Sequence, residues 1–353
     1  MDNIHFKYIV IRREFRENEY RVALIPSDCT KLIDWSQNEE GLYQFDSVYV
    51  EKSNRRCFTD LEYMNAGCIL IDNYIDLTHP IKDMLIVGLK ELPMTEYMYS
   101  YNHLYFSHCF KNQENSKTIL QLFKLKGGNI YDLEYFTDKN KNRLLSFGFT
   151  SGLVGCYLGL LQYYYRKQYM DICDLKPFKY FEDLFNKILT EKNHIYNQPT
   201  IAIIGNGRCA SGCMSLLNTL ELPYKIYNRS MSKTDLNKYN IIINCILLSE
   251  YIEPFITTES LHRFNNTNVI VDISCDYNNI NNPLQIYNTG TSFKNPLHKI
   301  GTIDLIAIDN LPSLLPKDSS IDFSNKLVKI INNNDILWKN NLSIFKNKIN
   351  TIL

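Results

Sequence analysis

Short apolar runs alternate with helix-forming segments along two separate stretches of the chain. In the first stretch, runs such as KYIVIRR, DSVYVE and MLIVGLK alternate with IPSDCTKLIDWSQ, TDLEYMNAG and NSKTILQLFKLKGG, which carry helix start and stop signals. In the second, the runs TIAII, YKIYN, NIIINCILL, NVIVDIS and IDLIAID are separated by helical segments. Strands separated by helices favour parallel sheets, so the pattern predicts an α/β protein with two Rossmann-like domains separated by an interdomain cleft.

Two further segments indicate how the domains are connected. Residues 147–169, FGFTSGLVGCYLGLLQYYYRKQY, combine apolar spacing with small residues, which predicts a long helix packed closely against its neighbours. The final segment, residues 319–353, has the pattern of a polar-faced helix that returns to the first domain. Because 353 residues exceed what one core usually supports, we predict a discontinuous substrate-binding domain of residues 1–146 and 317–353, and a dinucleotide-binding domain of residues 147–316.

The composition narrows the classes of partner. Lys+Arg and Asp+Glu are 38 each, so no overall basic charge favours nucleic acid or an anionic membrane. No apolar run approaches the length of a membrane span, and the N-terminus MDNIHFKYIV lacks a secretory-signal pattern. The ten cysteines show no CxxC pair and no zinc-site spacing. We therefore predict a cytoplasmic protein with free thiols and no metal, nucleic-acid or membrane partner. We also expect a monomer that acts on a small molecule.

A glycine-rich turn opens the second stretch. GNGRCA, from Gly205 to Ala210, matches G-x-G-x-x-A between a predicted strand and a predicted helix. Gly205 allows the tight turn, and Gly207 lets the backbone approach a pyrophosphate at the helix N-terminus. The turn therefore predicts a bound dinucleotide.

The end of the next strand bears on which dinucleotide is bound. NAD-binding units usually have Asp or Glu there to bond the ribose hydroxyls. Here YKIYNRS ends the strand at Asn228, followed by Arg229, which could pair with a 2′-phosphate. NAD is the predicted cofactor, and NADP stays an alternative.

Two cysteines are predicted to lie near the cofactor cleft. Cys209 follows the first strand of this unit, and Cys245 ends the strand in IIINC, which is its neighbour in the usual Rossmann strand order. We hypothesise that the two thiols can form a redox-sensitive disulfide.

Polar residues in the first half occur where buried strands end. In MLIVGLKELP, Lys90 follows an all-apolar strand, although the interior of such a strand cannot readily carry a charge. In α/β proteins the carboxyl ends of strands open towards the functional crevice. Further candidates of the first half are Arg21, in a loop or strand end before a proline-started helix, and Glu91, His108, Gln113, Glu134 and Arg143.

These residues fall within motifs that resemble the lysine-forming saccharopine dehydrogenases. The similar stretches are RVALIP, GLKELP, FSHCFKNQ, YDLEY, FGFTSGLVG, IIGNGRCASG, INCILLSEYIEPF, VDISCD and IDNLPSLLP, over about residues 8–318. RVALIP is shared with alanine dehydrogenases and transhydrogenases, whereas GLKELP, SHCFKNQ and LPSLLP are narrow signals. The resemblance implies NAD-dependent oxidative deamination of saccharopine to L-lysine and 2-oxoglutarate, the last step of fungal-type α-aminoadipate lysine biosynthesis.

The resemblance also implies roles for individual residues. Lys90 and His108 match the acid–base pair, and a lysine in that role needs a lowered pKa. The implied substrate-binding residues are Arg21, Lys90, Gln113, Arg143, Phe147, Ser274, Cys275 and Asp276. The implied cofactor-binding residues are Gly205, Gly207, Arg208, Asn228, Ser232, Leu247, Ile273, Ile308, Asp309, Asn310 and Leu311.

The sequence departs from the family mainly on the cofactor side. The glycine loop is one residue shorter, Asn228 replaces an Asp, Leu247 a Tyr and Ser232 a Thr. Asn142 stands where an Arg often precedes Arg143. Two alternatives therefore stay open: a related amino-acid dehydrogenase with another substrate or NADP preference, and a catalytically idle homologue.

Overall fold

A computed structural model describes residues 6–37, 45–110, 115–228, 231, 233–248, 250–277, 279–333 and 335–351. Internal contacts divide the chain into two units. Unit 1 comprises Met1–Ser146 and Pro316–Leu353, and unit 2 comprises Phe147–Leu315.

Unit 1 is built on one parallel sheet with helices between its strands. Its N-terminal part contains β1 (Tyr8–Ile11), α1 (Pro26–Gln37), β2 (Ser47–Glu51), α2 (Asp60–Asn65), β3 (Ile69–Ile71), β4 (Met84–Val87), β5 (Asn102–Tyr105), α3 (Ser116–Lys126) and β6 (Asn129–Asp132). The strand order is β3-β2-β1-β4-β5-β6, and every neighbouring pair is parallel. The chain reverses its direction across the sheet between β1 and β4, so a crevice opens at their carboxyl ends.

Unit 2 has a second sheet of six strands. Its elements are α4 (Gly148–Lys167), α5 (Phe181–Asn193), β7 (Ile201–Ile204), α6 (Arg208–Thr219), β8 (Tyr224–Tyr227), β9 (Ile241–Asn244), β10 (Ile256–Thr257), β11 (Val269–Asp272), β12 (Leu284–Gln285), β13 (His298–Ile300) and β14 (Ile303–Ile306). The order β13-β14-β11-β9-β7-β8 is parallel except at β13, which pairs antiparallel with β14. The predicted α/β class with parallel sheets is confirmed in both units.

The last two helices complete unit 1. They are α7 (Pro316–Asn333) and α8 (Asp335–Asn350). Buried serines of α7 hold the loop before α1, because Ser320 Oγ accepts from the Val22 N–H at 2.9 Å and Ser324 Oγ from the Ile25 N–H at 3.0 Å. Asn341 of α8 bonds the backbone N–H of Asp132 at 2.9 Å and its carbonyl at 2.8 Å. Helix α8 therefore fixes the end of β6.

None of the helices in the described part of the chain has both the length and the apolar character that crossing a membrane requires.

Helices α4 and α6 approach each other backbone to backbone. A Cβ added at Gly152 would lie 1.7 Å from the Cys209 carbonyl oxygen, and one at Gly212 would lie 1.9 Å from the Phe149 carbonyl oxygen. The small residues in the helix predicted for 147–169 thus have a packing role. They let α4 lie directly against the helix that follows the glycine-rich turn.

We expect Gly152→Ala to lower the free energy of unfolding by about 2–3 kcal/mol, since the added methyl group meets backbone that cannot rotate away. Denaturant unfolding of the two proteins measures the difference. Ser151→Ala, on the same helical turn, is the control and should cost far less. Equal losses for both variants would contradict the close packing as the cause.

Candidate active site

Three polar side chains of unit 1 follow the ends of adjacent strands. Lys90 follows β4, His108 follows β5, and Glu134 lies in the turn after β6. The pairing of β4 with β5 continues beyond the strands, because Gly88 N–H donates to the Leu104 carbonyl at 3.0 Å and Phe106 N–H to the Leu89 carbonyl at 3.1 Å. Lys90 and His108 are therefore held just beyond one extended ladder, at the edge of the sheet formed by the carboxyl ends of β4 and β5.

His108, Glu134 and Arg143 form a chain of polar contacts. Glu134 Oε1 lies 3.9 Å from His108 Nδ1, and Glu134 Oε2 lies 3.2 Å from Arg143 Nη2. The His108 backbone has φ 48°, a left-handed conformation that turns the chain directly after the strand. Glu134 thus links the proposed imidazole acid–base group to a proposed substrate-binding guanidinium.

Buried Asp132 positions both sides of this network. Its carboxylate accepts from Ser107 Oγ at 2.5 Å and from the Glu134 N–H at 2.8 Å. Burial raises the pKa of Asp132, while these hydrogen bonds act in the opposite direction. Because Ser107 precedes His108 in the chain, one carboxyl group ties the His108 loop to the Glu134 turn.

Arg21 is bound by a carboxylate of its own loop. Its Nε and Nη2 donate to the two oxygens of Glu19 at 2.8 and 2.6 Å, and both side chains are buried. Burial alone would raise the pKa of Glu19, but the charge and hydrogen bonds of Arg21, with the charge of Lys90, hold it below its usual value. Sequence reasoning missed Glu19, although the E-x-R spacing at 19–21 was the available signal.

Asn142, at a position where the resemblance implies a frequent Arg, has a structural role. The backbone carbonyl of Asn142 accepts from the Asp138 backbone N–H at 2.9 Å. The backbone N–H and the side-chain amide of Asn142 donate to the Asp138 carboxylate at 2.8 and 3.0 Å. Asn142 thus closes the turn that precedes Arg143.

The glycine-rich turn of unit 2 fits a pyrophosphate. Gly205 has φ 109°, and a Cβ there would lie 2.6 Å from Ile246 Cγ2, so glycine is required. Gly207 precedes α6, and a Cβ at this position would meet no atom within 4 Å. Arg208 is the first residue of α6. The open approach at a helix N-terminus is the arrangement that binds dinucleotide phosphates.

A cavity of about 550 Å³ lies beside this turn, and its size suits part of a nucleotide. It opens at the ends of β7, β8 and β9. Its lining residues are Ile204, Gly205, Tyr227, Asn228, Lys233, Ile246, Leu247, Leu248, Glu250, Ile252, Glu253 and Phe255. Asn228 and Leu247, two of the departures from the family, therefore line the same cavity as Gly205.

The remaining predicted residues of unit 2 follow β11 and β14. Asp272 is fully buried and accepts from Asn244, Ser274 and Tyr287 side chains at 2.9, 2.6 and 2.6 Å. This network holds the segment after β11 that carries Ile273, Ser274, Cys275 and Asp276. The other predicted residues of unit 2, Ile308, Asp309, Asn310 and Leu311, follow β14.

Phe147 immediately precedes α4 and accepts from the Ser151 N–H at 2.9 Å. Gln113 and Ser232 lie outside the described residues.

The cysteines are free thiols. Cys245 Sγ lies 3.7 Å from the sulfur of Cys213, a residue of α6 that lies one helical turn beyond Cys209. The Cys209–Cys245 disulfide stays a prediction. Among the residues that the structure describes, no three His, Cys, Asp or Glu side chains form a group suited to a metal ion.

Solved structures share this fold. The chain superposes on an L-alanine dehydrogenase with a TM-score of 0.69 at 13% identity, covering 95% of this chain and 93% of the other. It superposes on a transhydrogenase from Sinorhizobium meliloti with a TM-score of 0.60 at 14% identity, covering 92% and 93%. At these identities the likeness concerns the fold alone.

Sequence comparisons identify the family. Residues 10–154 match the alanine dehydrogenase/PNT N-terminal domain, and residues 179–349 match its C-terminal domain. Saccharopine dehydrogenase [NAD(+), L-lysine-forming] of Yarrowia lipolytica is 33% identical over 340 residues, covering 90% of this chain and 89% of the relative. The enzyme of the same name from Emericella nidulans is 31% identical over 376 residues, covering 98% of each. The chain belongs to the NAD-dependent, lysine-forming saccharopine dehydrogenase family.

Proposed function

We propose that this protein catalyses the NAD-dependent oxidative deamination of saccharopine to L-lysine and 2-oxoglutarate. The supporting observation is that Lys90 and His108 follow adjacent parallel strands at one sheet edge, in a chain of this family. In this proposal unit 1 binds the substrate and unit 2 binds the dinucleotide, whose phosphates Gly205, Gly207 and Arg208 receive.

In this proposal, two side chains of this protein carry out the proton transfers. When bound, the nicotinamide ring accepts hydride from the substrate carbon beside the secondary amine. Lys90 takes the proton from that amine as it becomes an imine. Water then adds to the imine carbon, His108 takes one proton from that water, and the imine nitrogen receives one, which gives a carbinolamine. As the carbon–nitrogen bond breaks, His108 takes the carbinolamine hydroxyl proton and the departing nitrogen receives a second proton, so that lysine leaves and 2-oxoglutarate is formed.

The three carboxylates of saccharopine require cationic partners. The Arg143 side chain is 37% exposed beside Glu134, so its guanidinium can bind a carboxylate at the edge of the sheet. Arg21, already oriented by Glu19, is proposed as a second partner. Gln113, Phe147 and the Ser274–Cys275–Asp276 segment complete the proposed substrate contacts.

NAD is the proposed cofactor, with Ser232, Leu247, Ile273, Ile308, Asp309, Asn310 and Leu311 as further contacts. Asn228 lines the cavity where a ribose would lie, and an amide can bond its hydroxyls. Lys233 lines the same cavity and supports the NADP alternative, because an ammonium could pair with a 2′-phosphate.

We expect Asn228→Asp to raise the preference for NAD over NADP about tenfold, because a carboxylate accepts from ribose hydroxyls and repels a 2′-phosphate. The ratio of kcat/KM for the two cofactors measures this. Asn218→Asp, the same change within α6, should leave the ratio unaltered. An unchanged ratio in Asn228→Asp would place the ribose elsewhere.

One assay tests the proposed function. Purified protein is mixed with saccharopine and either NAD or NADP, and reduced nicotinamide is followed by absorbance. Turnover with saccharopine supports the proposal. Turnover with alanine or glutamate alone would favour a related amino-acid dehydrogenase, and no turnover with any substrate would favour the idle homologue.

We also propose that the protein works as a cytoplasmic monomer. The ten free cysteines are typical of a reducing compartment. Gel filtration at the assay concentration tests the monomer, and fractionation of the source cells tests the compartment.

A further inference from the structure

The turn that carries Lys90 is held by a side chain from the neighbouring strand loop. Glu14 Oε1 accepts from the Leu89 N–H at 2.7 Å, and Glu14 Oε2 accepts from the Lys90 N–H at 3.0 Å. One carboxylate thus binds two successive peptide groups. These two hydrogen bonds therefore fix the backbone orientation at Lys90, from which its side chain projects.

Arg12 holds the same turn from the other side. Its Nη2 donates to the Lys90 carbonyl oxygen, and its Nη1 donates to the Arg13 carbonyl at 3.0 Å and pairs with Glu14 Oε2 at 3.2 Å. The Arg12 side chain is 0% exposed and that of Glu14 is 9% exposed. Burial raises the pKa of Glu14, and the opposite charge of Arg12 limits that rise. A buried pair of this kind is costly to break, so it favours one arrangement of the turn.

Gly88 makes room for this arrangement. A Cβ at Gly88 would lie 2.4 Å from Arg12 Nε and 2.5 Å from Arg12 Cζ. The glycine before Lys90 therefore lets a buried guanidinium lie against the backbone of the turn. The contact with Arg12 therefore explains why a glycine stands two residues before Lys90, whatever the chemical role of Lys90.

We infer that Arg12 and Glu14 are positioning residues that aim the Lys90 amine at the reacting nitrogen, through the backbone of the Gly88–Lys90 turn. The inference rests on the proposed function. A rigid support matters because a proton-transfer group displaced by about 1 Å can lose up to a hundredfold in rate. Neither residue needs to touch the substrate to have this effect.

Unit 1 contains a matched control carboxylate. Glu51 is 1% exposed and accepts two backbone N–H groups, from Arg13 at 2.9 Å and Tyr74 at 3.1 Å. Burial raises its pKa, as it does for Glu14. Glu51 therefore shares the chemistry of Glu14 but binds no peptide group of the Lys90 turn.

The first experiment compares Glu14→Gln with Glu51→Gln. An amide can accept only one of the two N–H groups, because its nitrogen is a donor. Glu14→Gln should lower kcat about tenfold and shift the pH profile, with the KM for NAD unchanged, whereas Glu51→Gln, which leaves the Leu89 and Lys90 N–H groups with their acceptor, should lower kcat far less. Glu14→Asp, which keeps the charge, should recover part of the loss. Equal kinetic losses in the two Gln variants would overturn the inference.

The second experiment is a double-mutant cycle between Gly88→Ala and Arg12→Met. Gly88→Ala should lower kcat in the wild-type background because its methyl group displaces the guanidinium. In the Arg12→Met background the added methyl group should cost little, so the two losses should not add. Additive losses would mean that the Gly88–Arg12 contact does not act on Lys90.

A third measurement does not depend on turnover. The rate of Lys90 acetylation by acetic anhydride, quantified by mass spectrometry, should change in Glu14→Gln and change far less in Glu51→Gln. An unaltered rate in Glu14→Gln would overturn the inference. If wild-type protein fails to turn over saccharopine while the labelling difference is present, the proposed function fails and the positioning of Lys90 stands.

Discussion

Replacing Lys90 by methionine is expected to lower kcat for saccharopine oxidation by about two to four orders of magnitude, the usual contribution of a general acid–base group. Methionine keeps most of the length and the apolar stem but cannot carry a proton. Binding of both ligands should change little, since the carboxylates are assigned to arginines and the dinucleotide to unit 2. Steady-state kinetics with saccharopine and NAD measure this split.

Lys82→Met is the matched control. Lys82 is exposed just before the amino end of β4, so the two lysines lie at opposite ends of one strand. The control should retain wild-type kcat. A kcat for Lys90→Met within threefold of the control would remove Lys90 from the proton transfers, and the proposed mechanism would lose its base.

The strand pattern predicted that Lys90 follows a buried strand, for a physical reason. Strands covered on both faces are continuously apolar, so the first polar residue beyond each marks the sheet edge. β4 is fully buried along its length, and Lys90 follows it after two residues. Parallel pairing then brings the ends of β4 and β5 to the same edge.

The supports of these residues could not be read from the same pattern. Glu14 meets the Lys90 peptide from 76 residues away, and such a contact depends on the loops after β1 and β4. Neither loop has a repeating pattern that periodicity can detect. Apolar alternation locates elements, whereas a bond between two loops depends on the direction of single side chains.

The cysteines illustrate the same limit. The neighbouring positions of β7 and β9 were expected from the usual strand order, and they are observed. Which side chain of α6 comes nearest to Cys245 depends on the rotation of that helix. Cys213, one turn beyond Cys209, has its sulfur 3.7 Å from Cys245 Sγ. Strand order does not fix the rotation of α6, so the Cys209–Cys245 disulfide stays a prediction.

Arg143→Ala is the second large effect that we expect: a rise of about a hundredfold in the KM for saccharopine, with a much smaller change in kcat. Loss of charge-assisted hydrogen bonds to a carboxylate costs about 1.5–3 kcal/mol. The variant also leaves Glu134 without the guanidinium 3.2 Å away, so an uncompensated carboxylate faces an anionic substrate. Steady-state kinetics at saturating NAD measure the effect.

The contribution of Glu134 can be separated from that of Arg143. In Arg143→Ala/Glu134→Gln the repulsion is removed, so the KM should fall part of the way back towards the wild-type value. Lys139→Ala, an exposed change in the same loop, should leave the KM unaltered.

If Arg143→Ala binds saccharopine as wild type does, the guanidinium serves only to hold Glu134 beside His108. Its loss should then appear in kcat, because the 3.9 Å approach of Glu134 to the imidazole would no longer be supported.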